Sequence, residues 1–254
     1  MSTNSRRVAI RPTDPAGSDR KGSSAHARVR SFTRRGSRLN ERQEALWADR
    51  AGIVLDLPEA TATTIPDDTV FDLAAEYGRT DGRLVVEVGC GAGEQFAHAA
   101  AAAPGDRFLG LEVWLPGLVR TLGRLREAGS TNARLAEADA AQALPILLPA
   151  GSVDEVWTFF PDPWPKSKHH KRRIVDGDFA AMIARLLAPG GVWRLATDWA
   201  DYAEQMIAVL EASDHLDLTI EPERWAGRTL TRFEQRGLDE GRAITDLTAV
   251  RRDG

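Results

Sequence analysis

Apolar residues along the chain fall into short blocks separated by glycine, proline and acidic turns. Leu84–Val88, Phe108–Val113, Ala133–Ala138, Val153–Phe160, Val192–Thr197, Leu216–Glu221 and Ile244–Arg251 read as strands. Glu94–Ala103, Pro116–Ala128, a short segment through Leu144, Asp178–Leu187 and Tyr202–Ala212 read as helices. Pro116 at the start of its helix and Gly129 just past its end follow the usual asymmetry of helix termini. Pro189-Gly190-Gly191 ends the Asp178 helix, and Leu230–Gly237 reads as a polar crossover. Strands alternating with helices predict an α/β domain, a parallel sheet with helices on both faces. Before this region, a short helix is expected near Glu41–Arg50, and residues 51–80 read as irregular with a helical start near Val70.

Composition adds two constraints. The 254 residues, 43% hydrophobic, suffice for one sizeable core. The single cysteine, Cys90, excludes an internal disulfide and a cysteine zinc site. No apolar run reaches a membrane span and the first residues lack a secretory h-region, so a cytoplasmic protein is expected. The net charge of −4 is unevenly spread: residues 1–42 carry eleven Lys/Arg and three Asp/Glu, or +8, which leaves −12 for the rest. Residues 1–28, rich in Arg, Ser, Gly and Pro without hydrophobic period, are expected to be a disordered basic extension, and 29–254 the folded domain. Such an arm points to a polyanionic partner, the alternative being a basic tail without specific use.

Candidate chemistry clusters at the predicted strand ends. Val86-Glu87-Val88-Gly89-Cys90-Gly91-Ala92-Gly93 reads as a buried strand running into a glycine turn and a helix. The third glycine comes one residue too early for the dinucleotide fingerprint, so the turn alone is a weak signal. Glu87 on the strand would repel a pyrophosphate but suits a cationic amino-acid moiety, as in S-adenosylmethionine. Glu112, 19 residues after Gly93, ends the second strand and suits ribose hydroxyls; Asp139 ends the third and suits the adenine amino group. Cys90 is expected to be a small turn residue rather than a nucleophile.

After the fourth strand comes Phe159-Phe160-Pro161-Asp162-Pro163-Trp164-Pro165-Lys166. Its prolines forbid helix and stiffen the loop, and Asp162 beside Trp164 suits a flipped-out base. Lys166, Lys168, Lys171, Arg172 and Arg173 then give five positive charges in eight residues, a candidate phosphate-binding run. His169 and His170 within it lack neighbouring acids and make a poor metal site, so no metal is expected. Asp198, in Ala196-Thr197-Asp198-Trp199, lies at the same sheet edge, and Thr231-Arg232-Phe233-Glu234-Gln235-Arg236-Gly237 mixes groups that suit a nucleoside and its phosphate.

These strings, with Arg30-Ser31-Phe32 and Arg34-Arg35, make the chain over about residues 30–252 resemble the bacterial tRNA (guanine-N7)-methyltransferase family. The combination of Pro161-Asp162-Pro163-Trp164 with Thr231-x-Phe233-Glu234 is far more specific than the glycine turn. The resemblance implies a Rossmann-like class I methyltransferase: a mostly parallel seven-stranded sheet with an antiparallel C-terminal strand. It implies S-adenosyl-L-methionine as cofactor and tRNA as partner, with guanine N7 at position 46 of the variable loop as acceptor. Glu87, Gly89, Gly91, Gly93, Glu112, Asp139 and Asp162 would then hold the donor, with Asp162 the catalytic acid and Asp198 second choice. Lys166, Asp198, Thr231, Arg232, Phe233 and Glu234 would contact the substrate base, and Lys168, His169, His170, Lys171, Arg172 and Arg173 the RNA. Monomer and homodimer both remain open. The rival readings are an exocyclic-amine methyltransferase, an RNA-binding protein without catalysis and a nicotinamide dehydrogenase.

Overall fold

The computed structural model describes residues 31–32, 36, 38–61 and 63–253. The extension expected over 1–28, and Arg30, Arg34 and Arg35 of the basic string, lie outside them. Seven strands form one sheet: β1 (Leu84–Val88), β2 (Arg107–Glu112), β3 (Ala133–Glu137), β4 (Val153–Phe159), β5 (Leu187–Thr197), β6 (Leu216–Glu221) and β7 (Thr245–Arg251). Their order is β3-β2-β1-β4-β5-β7-β6, with β7 antiparallel to both its neighbours and the other pairings parallel. The expected Rossmann-like arrangement is therefore present.

Both faces of the central strands are covered, as a parallel sheet requires. β1 is buried at all five positions. Val85 packs with Phe96, Leu118, Leu122 and Leu125 beneath α3 (Glu94–Ala102) and α4 (Leu115–Glu127). Leu84, Val86 and Val88 pack on the opposite side under α5 (Ala140–Leu147), α6 (Gly177–Leu186) and α7 (Ala200–Glu211). This alternation puts Glu87, in phase with Val85, on the α3/α4 side. Each fully buried Leu or Phe in these clusters contributes roughly 1.5–3 kcal/mol.

Four details differ from the sequence expectation or add to it. α2 spans Leu73–Tyr77, starting at the Asp72 cap rather than near Val70 and ending on Gly78 at φ 66°. β5 starts at Leu187, directly after α6, not at Val192. The register jumps from Val153↔Leu187 to Glu155↔Val192, so Pro189-Gly190-Gly191 bulges out of the strand instead of preceding it. The irregular stretch after α1 (Glu41–Ala48) covers the open edge of β3, where Ile53 and Leu55 exchange backbone hydrogen bonds with Leu135 at 2.8 Å each.

The polar crossover is the fourth. Arg232–Asp239 forms α8, with the Thr231 hydroxyl accepting from the Glu234 amide at 3.3 Å. The Thr-x-x-Glu spacing is a recognised helix-start signature, and it was legible in the sequence. Among the described residues no helix is long and apolar enough to cross a membrane.

Candidate active site

The turn between β1 and α3 is fixed from behind. The Gly89 and Cys90 amides both donate to the Leu111 carbonyl, at 2.8 and 3.2 Å. Gly89, Gly91 and Gly93 have φ of 74°, 56° and 74°, a region that L side chains avoid. At Gly93 a Cβ would also lie 2.5 Å from the Thr121 methyl. At Gly89 nothing lies within 4 Å of the missing Cβ, which leaves bare backbone facing open space.

Three acids stand around this turn. Glu112 accepts from the Gly91 amide through Oε2, and from the Val113 and Trp114 amides through Oε1, each at 2.8 Å. Burial nevertheless raises its carboxyl above the ordinary range. Asp139 caps α5, accepting from the Ala141 amide at 3.2 Å. Glu87 is 5% exposed, and its Oε2 is buried without a hydrogen-bond partner. Burial, then the Glu112 charge, pushes the Glu87 carboxyl up to about 8. A buried carboxylate oxygen left unpaired is costly, and it marks the place for a cationic or hydrogen-donating ligand. Burial also raises the Cys90 thiol, which keeps it protonated and a poor nucleophile.

A cavity of about 830 Å³ joins these groups to the second motif. Its wall takes in Glu87, Gly89, Gly91, Gly93, Glu112, Asp139, Asp162, Thr231, Arg232 and Phe233. That volume suits a ligand of cofactor size. The Asp162 segment is backbone-strained: among the described residues, Phe160 at φ 50° and Trp164 at φ 46° are the non-glycine residues with positive φ. Each costs about 1–3 kcal/mol and needs its surroundings to hold it. The Phe160 amide donates to the Ala196 carbonyl of β5 at 2.8 Å, which is one such restraint.

Trp164 does not offer a stacking face to the cavity, contrary to the sequence expectation. Its Nε1 donates to the Ser31 carbonyl at 2.9 Å, the Arg172 guanidinium lies 4.9 Å above its ring, and His169 packs edge-on at 5.8 Å. The aromatic rings at the cavity are Phe32, Trp114, Phe159, Phe160 and Phe233 instead.

The basic run forms a 3-10 turn over Ser167–Arg172. Lys166, Lys168 and Lys171 are exposed, and His169, His170 and Arg172 half-buried. All lie outside the cavity wall, including Lys166, which was expected at the base. Arg173 corrects the expected RNA contact set. It is 3% exposed, donates to both oxygens of Asp201 at 2.9 Å and to the Pro163 carbonyl at 2.8 Å, and lies over the Tyr202 ring. It ties the Asp162 loop to α7 and has no donor left for a phosphate. His170 Nε2 lies 3.5 Å from Asp201, and among the described residues no acid, Cys and His group of metal-site size occurs.

Two expected substrate contacts are also drawn inward. Asp198 pairs with Arg242 at 2.8 Å, and a Cβ on Gly237 would meet its carboxylate at 2.9 Å. Glu234 is 1% exposed and accepts from Arg224 at 2.7 Å and Arg228 at 2.8 Å. Burial raises its carboxyl, but the two guanidinium groups outweigh that and hold it below the ordinary range. Arg232 and Phe233 remain at the mouth, Phe233 at 63% exposure. Arg228, Asp246, Glu94 and Gln95 were not anticipated. Glu94 accepts from the Arg232 amide at 2.7 Å, and Gln95 bonds Gly227 and Thr229, so the start of α3 clasps the segment leading into α8. These partners lie more than 130 residues apart in sequence, and no local pattern signals them.

Comparison with known proteins gives the chain a family. The family model Methyltransf_4, described as "Putative methyltransferase", matches residues 81–247. A tRNA (guanine-N(7)-)-methyltransferase of a Nocardioides species is 47% identical over 224 residues, covering 88% of each chain. The protein of the same name from Cutibacterium acnes is 44% identical over 245 residues, covering 94% of this chain and 88% of its own. Among solved structures, an rRNA methylase from Streptococcus thermophilus aligns at 13% identity with a TM-score of 0.48, covering 68% of this chain and 89% of that one. At 40–47% identity to the sequence relatives over most of its length, the chain belongs to the tRNA (guanine-N7)-methyltransferase family.

Proposed function

We propose that this protein transfers a methyl group from S-adenosyl-L-methionine to N7 of guanine 46 in the variable loop of tRNA, working in the cytoplasm. The observation that carries the reading is the unpaired Oε2 of Glu87, buried at one end of a cavity whose wall also contains Asp162. Glu87 suits the donor's ammonium group. Glu112 has three N–H groups on its four lone-pair positions, so one position on Oε2 remains for a ribose hydroxyl. Asp139 suits the adenine amino group. Bound there, the donor's sulfonium supplies an electrophilic methyl group.

Guanine N7 carries an in-plane lone pair and no proton, so no base is needed to create the nucleophile. The product ring is cationic. A carboxylate at its edge accepts from N1–H and the exocyclic amino group, and it stabilises the charge that develops. Asp162 suits this role because it belongs to the cavity wall, whereas Asp198 is neutralised by Arg242. Thr231, Arg232 and Phe233 flank the entering nucleotide, and Lys166, Lys168, Lys171 and Arg172 offer cations to the phosphates beyond it. Holding the reactants in line supplies most of the rate.

The test is transfer of labelled methyl to unmodified tRNA, with the product nucleoside identified by mass and its position mapped by strand cleavage. N7-methylguanosine at position 46 is expected. A different methylated nucleoside, or no transfer by protein that binds the donor, would sink the assignment.

A further inference from the structure

The strained turn at Phe160 needs a restraint beyond one backbone hydrogen bond, and the neighbourhood holds one. Arg228 is 1% exposed. Its guanidinium edge is taken up by two carboxylates: Nε and Nη2 donate to Glu234 at 3.3 and 2.8 Å, and Nη1 and Nη2 to Asp246, the latter at 3.0 Å. Arg224, itself exposed, pairs with Glu234 as well, so the group of two arginines and two acids around the buried Arg228 is electrically balanced. With the edge so occupied, the guanidinium's flat faces are left, and the rings of Phe159 and Phe160 lie 5.5 and 5.4 Å from its centre. Glu234 belongs to α8, Asp246 to β7 and Phe159 to the end of β4. One side chain thus fastens three elements to the residue two positions before Asp162.

We infer that Arg228 is a positioning residue for methyl transfer: its planar face holds the Phe160 turn, and through that turn it sets where Asp162 stands. A planar cation is required. A lysine at this site keeps one charge between the two acids but presents no face to the rings and no fork to the carboxylates. The donor end is held by other bonds, those of Glu112, Thr121 and Arg124 to the glycine turn, and Arg228 takes no part in them. Loss of the face therefore acts on the chemical step and spares donor binding.

This inference rests on the methyl-transfer reading, and the experiment separates the two. Arg228→Lys is compared with Arg134→Lys, which alters a half-buried arginine that donates to the Glu76, Thr131 and Ala133 carbonyls and stacks on Tyr77 at the far end of β3. For Arg228→Lys we expect kcat on tRNA to fall by roughly 100-fold while the donor's KM stays within about twofold. We expect the amides of residues 160–166 to exchange with deuterium about tenfold faster, and those of 84–93 at the original rate. Arg134→Lys should lower Tm without either change. Unaltered kcat and exchange in Arg228→Lys, or the same losses in Arg134→Lys, would overturn the inference. Absence of methyl transfer by the wild-type protein would overturn the function, and the exchange comparison would still decide the role of Arg228.

Discussion

The two ends of the cavity are built by different means. At the proposed donor end, most restraints come from adjacent strands and the helices that follow them: the glycine turn follows β1 and is bonded by Glu112 at the end of β2 and by Thr121 and Arg124 of α4, and Asp139 caps the helix after β3. At the proposed acceptor end, Asp162 sits on a strained loop held by Arg173 at the Pro163 carbonyl, by Ala196 at the Phe160 amide and by Arg228 at the Phe160 ring. The donor end is local backbone geometry awaiting a charge. The acceptor end is long-range packing that keeps an unfavourable backbone in place. A substitution at the first should change what binds, and a substitution at the second should change how fast bound partners react.

Asp162→Asn gives the sharpest version of that contrast. We expect turnover to fall by roughly 100- to 1,000-fold with Tm preserved, and donor affinity to change far less than turnover. Turnover near wild type would remove Asp162 from the chemistry and erase the distinction between the two ends.

Glu87→Gln tests the donor end in two opposite directions. Loss of a charge-assisted contact should weaken donor binding by about 10- to 100-fold, read by calorimetry. Without ligand, the same substitution should stabilise the protein at high pH. The Glu87 carboxyl rises from 4.5 to about 8 on folding, so between those values the native state holds a proton that the unfolded chain has released. Stability therefore declines as pH climbs through that window, and an amide is spared the decline. The Tm advantage of Glu87→Gln should be absent below pH 4.5 and complete above about pH 8. A constant advantage would mean that Glu87 is solvated or paired.

Arg173→Met and the triple variant Lys168→Ala, Lys171→Ala, Arg172→Ala divide the basic run. The first removes a buried guanidinium whose partner Asp201 is 44% exposed, so we expect a loss of about 2 kcal/mol in urea melts. Its tRNA affinity should keep the wild-type salt slope. The triple variant, which also removes the Arg172 contact with the Trp164 ring, should melt slightly lower and bind tRNA with a slope flatter by about 0.7–0.9 for each phosphate no longer neutralised. A flatter slope for Arg173→Met would return that residue to the RNA surface.

The same division governs what the sequence revealed. Strand positions, most helix limits and the acids at strand tips follow from hydrophobic period and glycine placement, and the expected elements around Leu84–Val113 differ from the structure by a residue or two. Thr231-Arg232-Phe233-Glu234 carried a readable cap, but its polar composition masked the helix. Trp164, Arg173 and Glu234 had the right chemistry for RNA or base contact, and only the fold shows them engaged with Ser31, Asp201 and Arg228. Type and spacing tell which side chains are suited to a ligand. They do not tell which of them are already occupied by a distant part of the same chain.

The position of β7 has a consequence for synthesis. It is the seventh strand made, yet it inserts between the fifth and sixth. Until it emerges from the ribosome, β5 presents an open edge, β6 has no neighbour in the sheet, and Arg228 lacks Asp246. A chain stopped before residue 245 therefore has its donor turn built and its sheet unfinished, a product that cellular proteases can distinguish from the complete one by an exposed strand edge.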